Sequence, residues 1–171
     1  MQPVNVRGLR IGEGMPKICI PLTSARTSHL CLDAEVAAQQ ADMLEWRLDC
    51  FDEGGIDAVC AAADQLRQRV RCPLLITFRT AKEGGERSIS PAEYAGLYSA
   101  LLLRQAADLI DIELTQEEEI VRTLIEQAHA AGAKVIISSH DFDRTPALEE
   151  MCSRLQRMEA LGGDIAKVAV M

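Results

Sequence analysis

The sequence has no excess of basic residues. Lysine and arginine number 18 against 26 aspartates and glutamates, which gives a formal net charge of -8. Because a nucleic-acid-binding surface needs a basic stripe, this balance argues against nucleic acid as a partner. If the ligand is an anion, local arginines must hold it against the overall field of the protein.

Long apolar runs are also missing. No stretch approaches the ~18 consecutive apolar residues of a membrane span. The N-terminus has no basic segment followed by an apolar stretch, which is the pattern of a signal peptide. We therefore expect a cytoplasmic protein with no membrane partner.

Paired cysteines are absent as well. The six cysteines are scattered without any Cys-x-x-Cys pair, so we expect free thiols in a reducing compartment. His140, Asp141 and Asp143 are potential metal ligands, but no second histidine is near and strand alternation sends Asp141 away from His140. The sequence thus predicts neither a metal nor a cofactor.

No linker or low-complexity segment divides residues 1–171, so a single domain is expected. It begins with an irregular or hairpin-like arm over residues 1–16.

Short β-rich runs alternate with stretches of helical composition. The centres of the runs lie roughly 26 to 35 residues apart, which is the length of one strand–helix unit. The predicted strands are Lys17–Leu22, Met43–Leu48, Leu74–Phe78, Leu109–Leu114, Lys134–His140 and Asp164–Val170. The predicted helices are Leu30–Ala41, Ile56–Arg71, Pro91–Gln105, Glu117–Ala131 and Pro146–Leu161. Capping boxes are predicted at Ser90–Glu93 and Thr115–Glu118, and Gly132 is a candidate C-cap.

This alternation predicts a parallel α/β sheet, either open and doubly wound or closed as a barrel. Side chains alternate across a strand, and an open doubly wound sheet would need central strands that are apolar on both faces. These strands instead have one apolar face and one face that becomes polar toward the carboxyl end, where barrel enzymes keep their sites. A barrel would gather these polar residues in one cluster: Glu45, Arg47, Arg79, Asp111, Glu113, His140 and Lys167.

Lys167 stands out because it lies in the apolar run Asp164–Met171. Burying an ammonium group is costly, so such a lysine needs an ion partner or must lose its proton. A deprotonated lysine attacks carbonyl groups to form Schiff bases. From the residues alone, a structural ion pair with Glu45 or Asp111 remains an alternative.

Five segments that contain these residues resemble the signature segments of type I 3-dehydroquinate dehydratases. They are Glu45–Asp49, Thr77–Gly85, Asp111–Leu114, Ser139–Phe142 and Asp164–Ala169, and they occur in the same order and spacing. The resemblance implies a (β/α)8 TIM barrel, usually a homodimer, that dehydrates 3-dehydroquinate to 3-dehydroshikimate in the shikimate pathway without a metal.

The resemblance also implies a role for each matching residue. Lys167 matches the lysine that forms an imine with the substrate ketone, His140 the residue that transfers protons, and Glu83 the carboxylate that orients that histidine. The residues that match substrate-binding positions are Glu45, Arg47 and Arg79. Asp111 is a further candidate that would neutralise the lysine and arginines. Arg47, Arg79 and burial are expected to disfavour the ammonium form of Lys167.

The chain contains only about six of the eight strands and five of the eight helices of such a barrel. The family's arginine for the substrate carboxylate, and the serine and glutamine of its closing loop, have no counterpart here. We therefore expect a partial barrel with two unpaired strand edges, impaired activity and a tendency to self-associate. The alternatives are a class I aldolase-like enzyme that uses the same lysine and a non-catalytic partial barrel that binds a ligand or a partner.

Overall fold

The computed structural model describes residues 3–171, so the first two residues of the predicted N-terminal arm lie outside the described part. Residues 3–171 contain eight strands and five α-helices. The strands are β1 (Val4–Val6), β2 (Leu9–Ile11), β3 (Cys19–Leu22), β4 (Met43–Arg47), β5 (Leu74–Thr77), β6 (Leu109–Glu113), β7 (Lys134–Asp141) and β8 (Ile165–Val170). The helices are α1 (Thr27–Ala37), α2 (Gly55–Arg69), α3 (Pro91–Leu103), α4 (Glu118–Ala130) and α5 (Leu148–Leu161).

Strands β3 to β8 form one parallel sheet in which each strand pairs with the next strand in sequence. The helices connect successive strands, and the sheet curls into a partial barrel. The predicted α/β barrel class is therefore confirmed, and β3 and β8 are the two edges of the sheet. None of the helices in residues 3–171 has both the length and the apolarity that a bilayer crossing requires.

The two faces of the sheet have separate cores. The outer face and the helices share a large cluster that contains the fully buried Trp46 and Tyr98. The inner face is apolar only at its amino-terminal end, where Met43, Leu75 and Leu109 pack together. Further along the same inner face the residues are polar, as strand alternation predicts.

The β1–β2 hairpin closes the amino-terminal end of the curled sheet. Val6 is buried in the small inner cluster, and Leu9 and Ile11 pack against it. Arg7 and Gly8 form the two-residue turn, and both have positive φ, which is typical of a type I′ hairpin. The opposite, carboxyl-terminal end remains open for a site.

The predicted ends of most helices agree with the structure to within a few residues. The capping box at Ser90 is confirmed, because its side chain accepts a hydrogen bond from the Glu93 N–H and Glu93 returns one. The capping box predicted for Thr115 and Glu118 is wrong. Glu117 is the N-cap of α4, and the Thr115 hydroxyl instead donates to Glu83 at 2.8 Å.

Candidate active site

Arg79 is the centre of a buried charge cluster at the carboxyl end of the sheet. Its side chain is 5% exposed and contacts three carboxylates, Glu83 at 3.3 Å, Asp111 at 2.9 Å and Glu113 at 3.0 Å. Nη1 also donates to Ser138 Oγ at 3.0 Å. Burial alone would lower the pKa of Arg79, but the Asp111 and Glu113 carboxylates raise it. Arg79 is therefore a permanent cation within the barrel.

Glu113 is held by the loop that follows β5. Its Oε1 accepts a hydrogen bond from the Thr80 backbone at 2.8 Å, and its Oε2 accepts one from the Thr80 hydroxyl at 2.8 Å. Burial raises the pKa of Glu113, although the bonds from Thr80 and the charge of Arg79 oppose that effect. The residue is a carboxylate partner of Arg79 with its oxygens already occupied.

His140 and Glu83 form the pair that the family resemblance implies. His140 Nδ1 lies 3.0 Å from Glu83 Oε2, and the His140 backbone N–H donates to the same oxygen at 3.1 Å. Because an ionised carboxylate only accepts, Nδ1 carries the proton in this pair. Thr115 holds Glu83 Oε1 from the other side. Nε2 is then the ring nitrogen that is available for proton transfer.

Lys167 lies on β8, directly beside Ser138 in the register of β7. Its Nζ is 3.5 Å from Oδ2 of Asp111, and the Asp111 side chain is fully buried. That oxygen has no hydrogen-bond partner in the described part of the chain. Nζ of Lys167 is the cationic group that lies beside it. Asp111, the further candidate, thus lies between the cations Arg79 and Lys167.

The structure corrects one expectation about Lys167. The apolar run predicts a buried lysine, but in the described residues the side chain is 40% exposed. The charge of Arg79, expected to disfavour the ammonium form, is matched by three carboxylates. Lys167 does have an ion partner within reach, the Asp111 carboxylate at 3.5 Å.

Glu45 and Arg47 occupy the β4 wall of the same inner face. Glu45 Oε1 accepts a hydrogen bond from the Thr77 hydroxyl at 2.7 Å. Arg47 forms a two-bond pair with Asp49, through Nε at 2.9 Å and Nη2 at 2.7 Å. The charges of Glu45 and Asp49 both help to raise the pKa of Arg47, the hydrogen bond to Asp49 being the largest cause. Among the described residues, neither the Glu45 nor the Arg47 side chain forms a hydrogen bond or an ion pair with Arg79, Glu83, Asp111 or Glu113.

Four supporting residues are not among the predicted site residues. Thr77 and Ser138 share the inner face with Arg79 and His140, so strand alternation is a signal that could have identified them. Asp49 lies in a short 3-10 helix (Leu48–Cys50) after β4, and Thr115 lies in the turn after β6. Beyond the strand ends, alternation no longer indicates a direction. Only the tertiary structure reveals that they hold Arg47 and Glu83.

Gly85 allows the loop after β5 to fold tightly under the site. A Cβ atom at Gly85 would lie 1.9 Å from the Arg79 carbonyl oxygen. We expect Gly85→Ala to lower the free energy of unfolding by about 1–3 kcal/mol, because the loop must shift to relieve this overlap. Gly96→Ala is the matched control, since its Cβ would meet only Ile56 at 3.8 Å and alanine is the better helix former by about 0.5–1 kcal/mol. Urea denaturation measures the free energy of unfolding of both variants. An equal change in Gly85→Ala and Gly96→Ala would contradict the argument that the Gly85 loop is too tightly packed for a Cβ atom.

Comparison with known proteins is consistent with this geometry. A family model described as type I 3-dehydroquinase matches residues 18–171. The 3-dehydroquinate dehydratase of Bacillus licheniformis is 46% identical in an alignment of 171 positions that covers 98% of this chain and 67% of that protein. The chain belongs to the type I 3-dehydroquinase family.

Solved structures of the type I 3-dehydroquinase family have the same fold. The crystal structure of type I 3-dehydroquinate dehydratase from Clostridium difficile, with covalently modified comenic acid, has a TM-score of 0.96 and 40% identity. It is matched over 99% of this chain and 69% of its own chain. The Enterococcus faecalis 3-dehydroquinate dehydratase has a TM-score of 0.95 and 42% identity, matched over 99% of this chain and 72% of its own.

Proposed function

We propose that this protein dehydrates 3-dehydroquinate to 3-dehydroshikimate through a Schiff base on Lys167. One observation carries the proposal: His140, which is paired with Glu83, lies on the strand next to Lys167 and on the same inner face. Membership of the type I 3-dehydroquinase family and the dehydratase names of its relatives support it. The resulting activity is that of a hydro-lyase in the shikimate pathway.

Lys167 would act first. Its amine attacks the ketone carbon, and loss of water from the resulting carbinolamine gives a protonated imine. The imine withdraws electrons from the neighbouring carbon and so makes its C–H bond more acidic. An ammonium group cannot attack, so the proton of Lys167 must leave before this step. Asp111 Oδ2 at 3.5 Å is the nearest carboxylate to Nζ and holds the lysine in place until substrate arrives.

His140 would carry out both proton transfers. Its Nε2 removes the proton from the carbon beside the imine, and the electron pair moves toward the imine nitrogen to give an enamine. The imidazolium then protonates the departing hydroxyl group, which leaves as water. Glu83 fixes the tautomer by accepting from Nδ1 at 3.0 Å. Hydrolysis of the product imine regenerates Lys167.

Glu45, Arg47 and Arg79 are the residues proposed to form the substrate-binding wall. Glu45 and Arg47 line the β4 wall with partners that occupy only part of their polar groups. Arg79 is more constrained, because its two terminal nitrogens contact carboxylates. We infer that Arg79 mainly sets the charge beneath the substrate, while Glu45 and Arg47 contact its hydroxyl groups.

The proposal is tested by trapping the imine. The protein is incubated with 3-dehydroquinate, reduced with borohydride and digested, and the adduct is located by peptide mass spectrometry. We expect the label on Lys167 and none on Lys82, an exposed lysine in the loop that carries Glu83, which serves as an internal control. A folded protein without adduct at Lys167 would reject the imine mechanism.

The product identifies the reaction. A dehydratase product has lost one water and keeps its carbon skeleton, and it gains the ultraviolet absorption of a conjugated ketone. An aldolase-like enzyme would instead give two smaller carbonyl fragments. A homodimer and a cytoplasmic location are further proposals that rest on the family resemblance, and light scattering after size-exclusion chromatography checks the first.

A further inference from the structure

Asp49 joins the β4 and β5 loops at the edge of the site. Its side chain is fully buried. Oδ1 accepts hydrogen bonds from Arg47 Nε at 2.9 Å and from the Arg79 backbone N–H at 3.2 Å. Oδ2 accepts from Arg47 Nη2 at 2.7 Å and from the Glu86 backbone N–H at 3.1 Å. One carboxylate therefore holds an arginine on its own strand end and two backbone positions of the neighbouring loop.

Arg87 makes the reverse connection. From the β5 loop, its Nε donates to the Asp49 carbonyl at 2.8 Å, and its Nη2 donates to the carbonyls of Leu48 at 2.7 Å and Phe51 at 2.6 Å. We call Asp49 and Arg87 together the loop clasp. The loop it holds, residues 80–87, contains Glu83 and is closed by a bridge between Thr80 and Arg87.

The contacts of Asp49 define the direction of Arg47. A two-bond pair between a carboxylate and a guanidinium fixes the plane of the guanidinium group as well as its position. In the described part of the chain Nη1 of Arg47 has no acceptor, and the side chain is 23% exposed. The arginine is therefore held through Nε and Nη2, which leaves Nη1 available to a ligand.

We propose that Asp49 is a positioning residue that sets the affinity of the site for its hydroxylated substrate by orienting Arg47. The inference rests on the proposed function for the identity of that substrate. Asp49 does not reach the reacting atoms, because its carboxylate oxygens are occupied by Arg47 and by the backbone of the neighbouring loop. Its effect passes through Arg47, and through the loop to Glu83.

The test is the substitution Asp49→Asn, read through borohydride trapping. The amide keeps the shape of the carboxylate but loses its charge and one acceptor, so Arg47 is no longer fixed by two bonds. We expect the 3-dehydroquinate concentration for half-maximal labelling of Lys167 to rise about 10- to 100-fold, the usual effect of losing a hydrogen bond to a charged group. The maximal labelling should stay unchanged, because Lys167 itself is unaffected.

Asp108→Asn is the matched control. Asp108 also pairs with an arginine, Arg67, and accepts a backbone N–H, that of Leu74 at 2.8 Å, but it precedes β6 at the opposite end of the sheet. This variant should lower the melting temperature without changing the half-maximal concentration. An equal rise of the half-maximal concentration in Asp49→Asn and Asp108→Asn would show a general loss of structure and would overturn the proposal.

A double-substitution cycle asks whether Asp49 acts through Arg47. Arg47→Met alone should raise the half-maximal concentration, and adding Asp49→Asn should then raise it by less than about twofold, because the interaction is already gone. Fully additive effects would overturn the positioning role. An unlabelled Lys167 in the unsubstituted protein is a different result, which rejects the proposed function itself.

Hydrogen exchange tests the loop clasp without substrate. The N–H groups of Arg79 and Glu86 both donate to Asp49. Asp49→Asn should therefore speed exchange in peptides that cover residues 79–87 at least about fivefold, whereas Asp108→Asn should not. Unchanged exchange in this segment would overturn the inference even if no substrate is bound.

Discussion

Lys167→Met is expected to abolish the borohydride adduct and to lower the dehydration rate at least about a thousandfold, or about 4 kcal/mol of transition-state stabilisation. Methionine has similar length but no amine, so no imine can form. The fold should tolerate the change, because the Lys167 side chain is 40% exposed and Asp111 keeps its contact with Arg79 at 2.9 Å. Adduct mass spectrometry and the ultraviolet absorption of the product measure both effects.

Two further variants identify the cause of that loss. Lys134→Met removes a lysine of similar exposure, 37%, which pairs with Asp164, and it should leave labelling and rate unchanged. His140→Asn should keep the adduct but slow the reaction by about 10²- to 10⁴-fold, the usual contribution of a general acid–base group. Normal turnover in Lys167→Met would refute the imine mechanism.

Arg79→Met should have the largest effect on stability. The substitution leaves Glu83, Asp111 and Glu113 without their shared cation, and all three side chains are at most 3% exposed. Removing one partner of a buried ion pair typically lowers the free energy of unfolding by about 3–5 kcal/mol. We expect a decrease of this size in urea denaturation, together with a slower dehydration of the substrate, because the histidine loses its fixed carboxylate.

The decrease in the free energy of unfolding caused by Arg79→Met should depend on pH. Burial already raises the pKa of Glu113 and the charge of Arg79 opposes that rise, so without the cation the folded-state pKa of Glu113 should rise further above that of the unfolded chain. Groups with raised pKa values favour folding at low pH, so the difference from the unsubstituted protein should shrink as the pH falls from about 7.5 to 5. Arg122→Met is the control, because that arginine pairs with Glu118 at the surface with 53% exposure and should cost less than about 1 kcal/mol. An equal decrease in the free energy of unfolding in Arg79→Met and Arg122→Met would contradict the stabilising role proposed for the buried charge cluster around Arg79.

The barrel class could be predicted from two local signals that agree along the whole chain. One is the regular succession of strands and helices, and the other is the alternation of apolar and polar residues within the strands. Strand alternation places Thr77 and Arg79 on one face and Ile76 on the other, and the inner core and the polar cluster follow that division. The convergence of Arg79, Asp111 and Lys167 could also be predicted, since carboxyl ends of neighbouring parallel strands meet. Their contacts bear this out at distances of 2.9 and 3.5 Å.

The loops were harder to predict, because their contacts connect residues that are distant in sequence. Thr115 is followed three residues later by Glu118, a pattern that local chemistry assigns to a helix cap, yet its hydroxyl contacts Glu83, 32 residues away. Asp49 and Arg87 are 38 residues apart. The side chain of Lys167 is 40% exposed, which the apolar run around it does not indicate.

The consecutive order of strands β3 to β8 also has a consequence for folding kinetics. Each pairing joins two strands that are separated by a single helical connection, so every step closes a loop of similar, moderate length. Such a sheet can grow from any strand pair outward, one strand–helix unit at a time. The longest closure brings the β1–β2 hairpin into the same inner cluster as Ile165. We expect docking of this hairpin to be the slowest step in assembly.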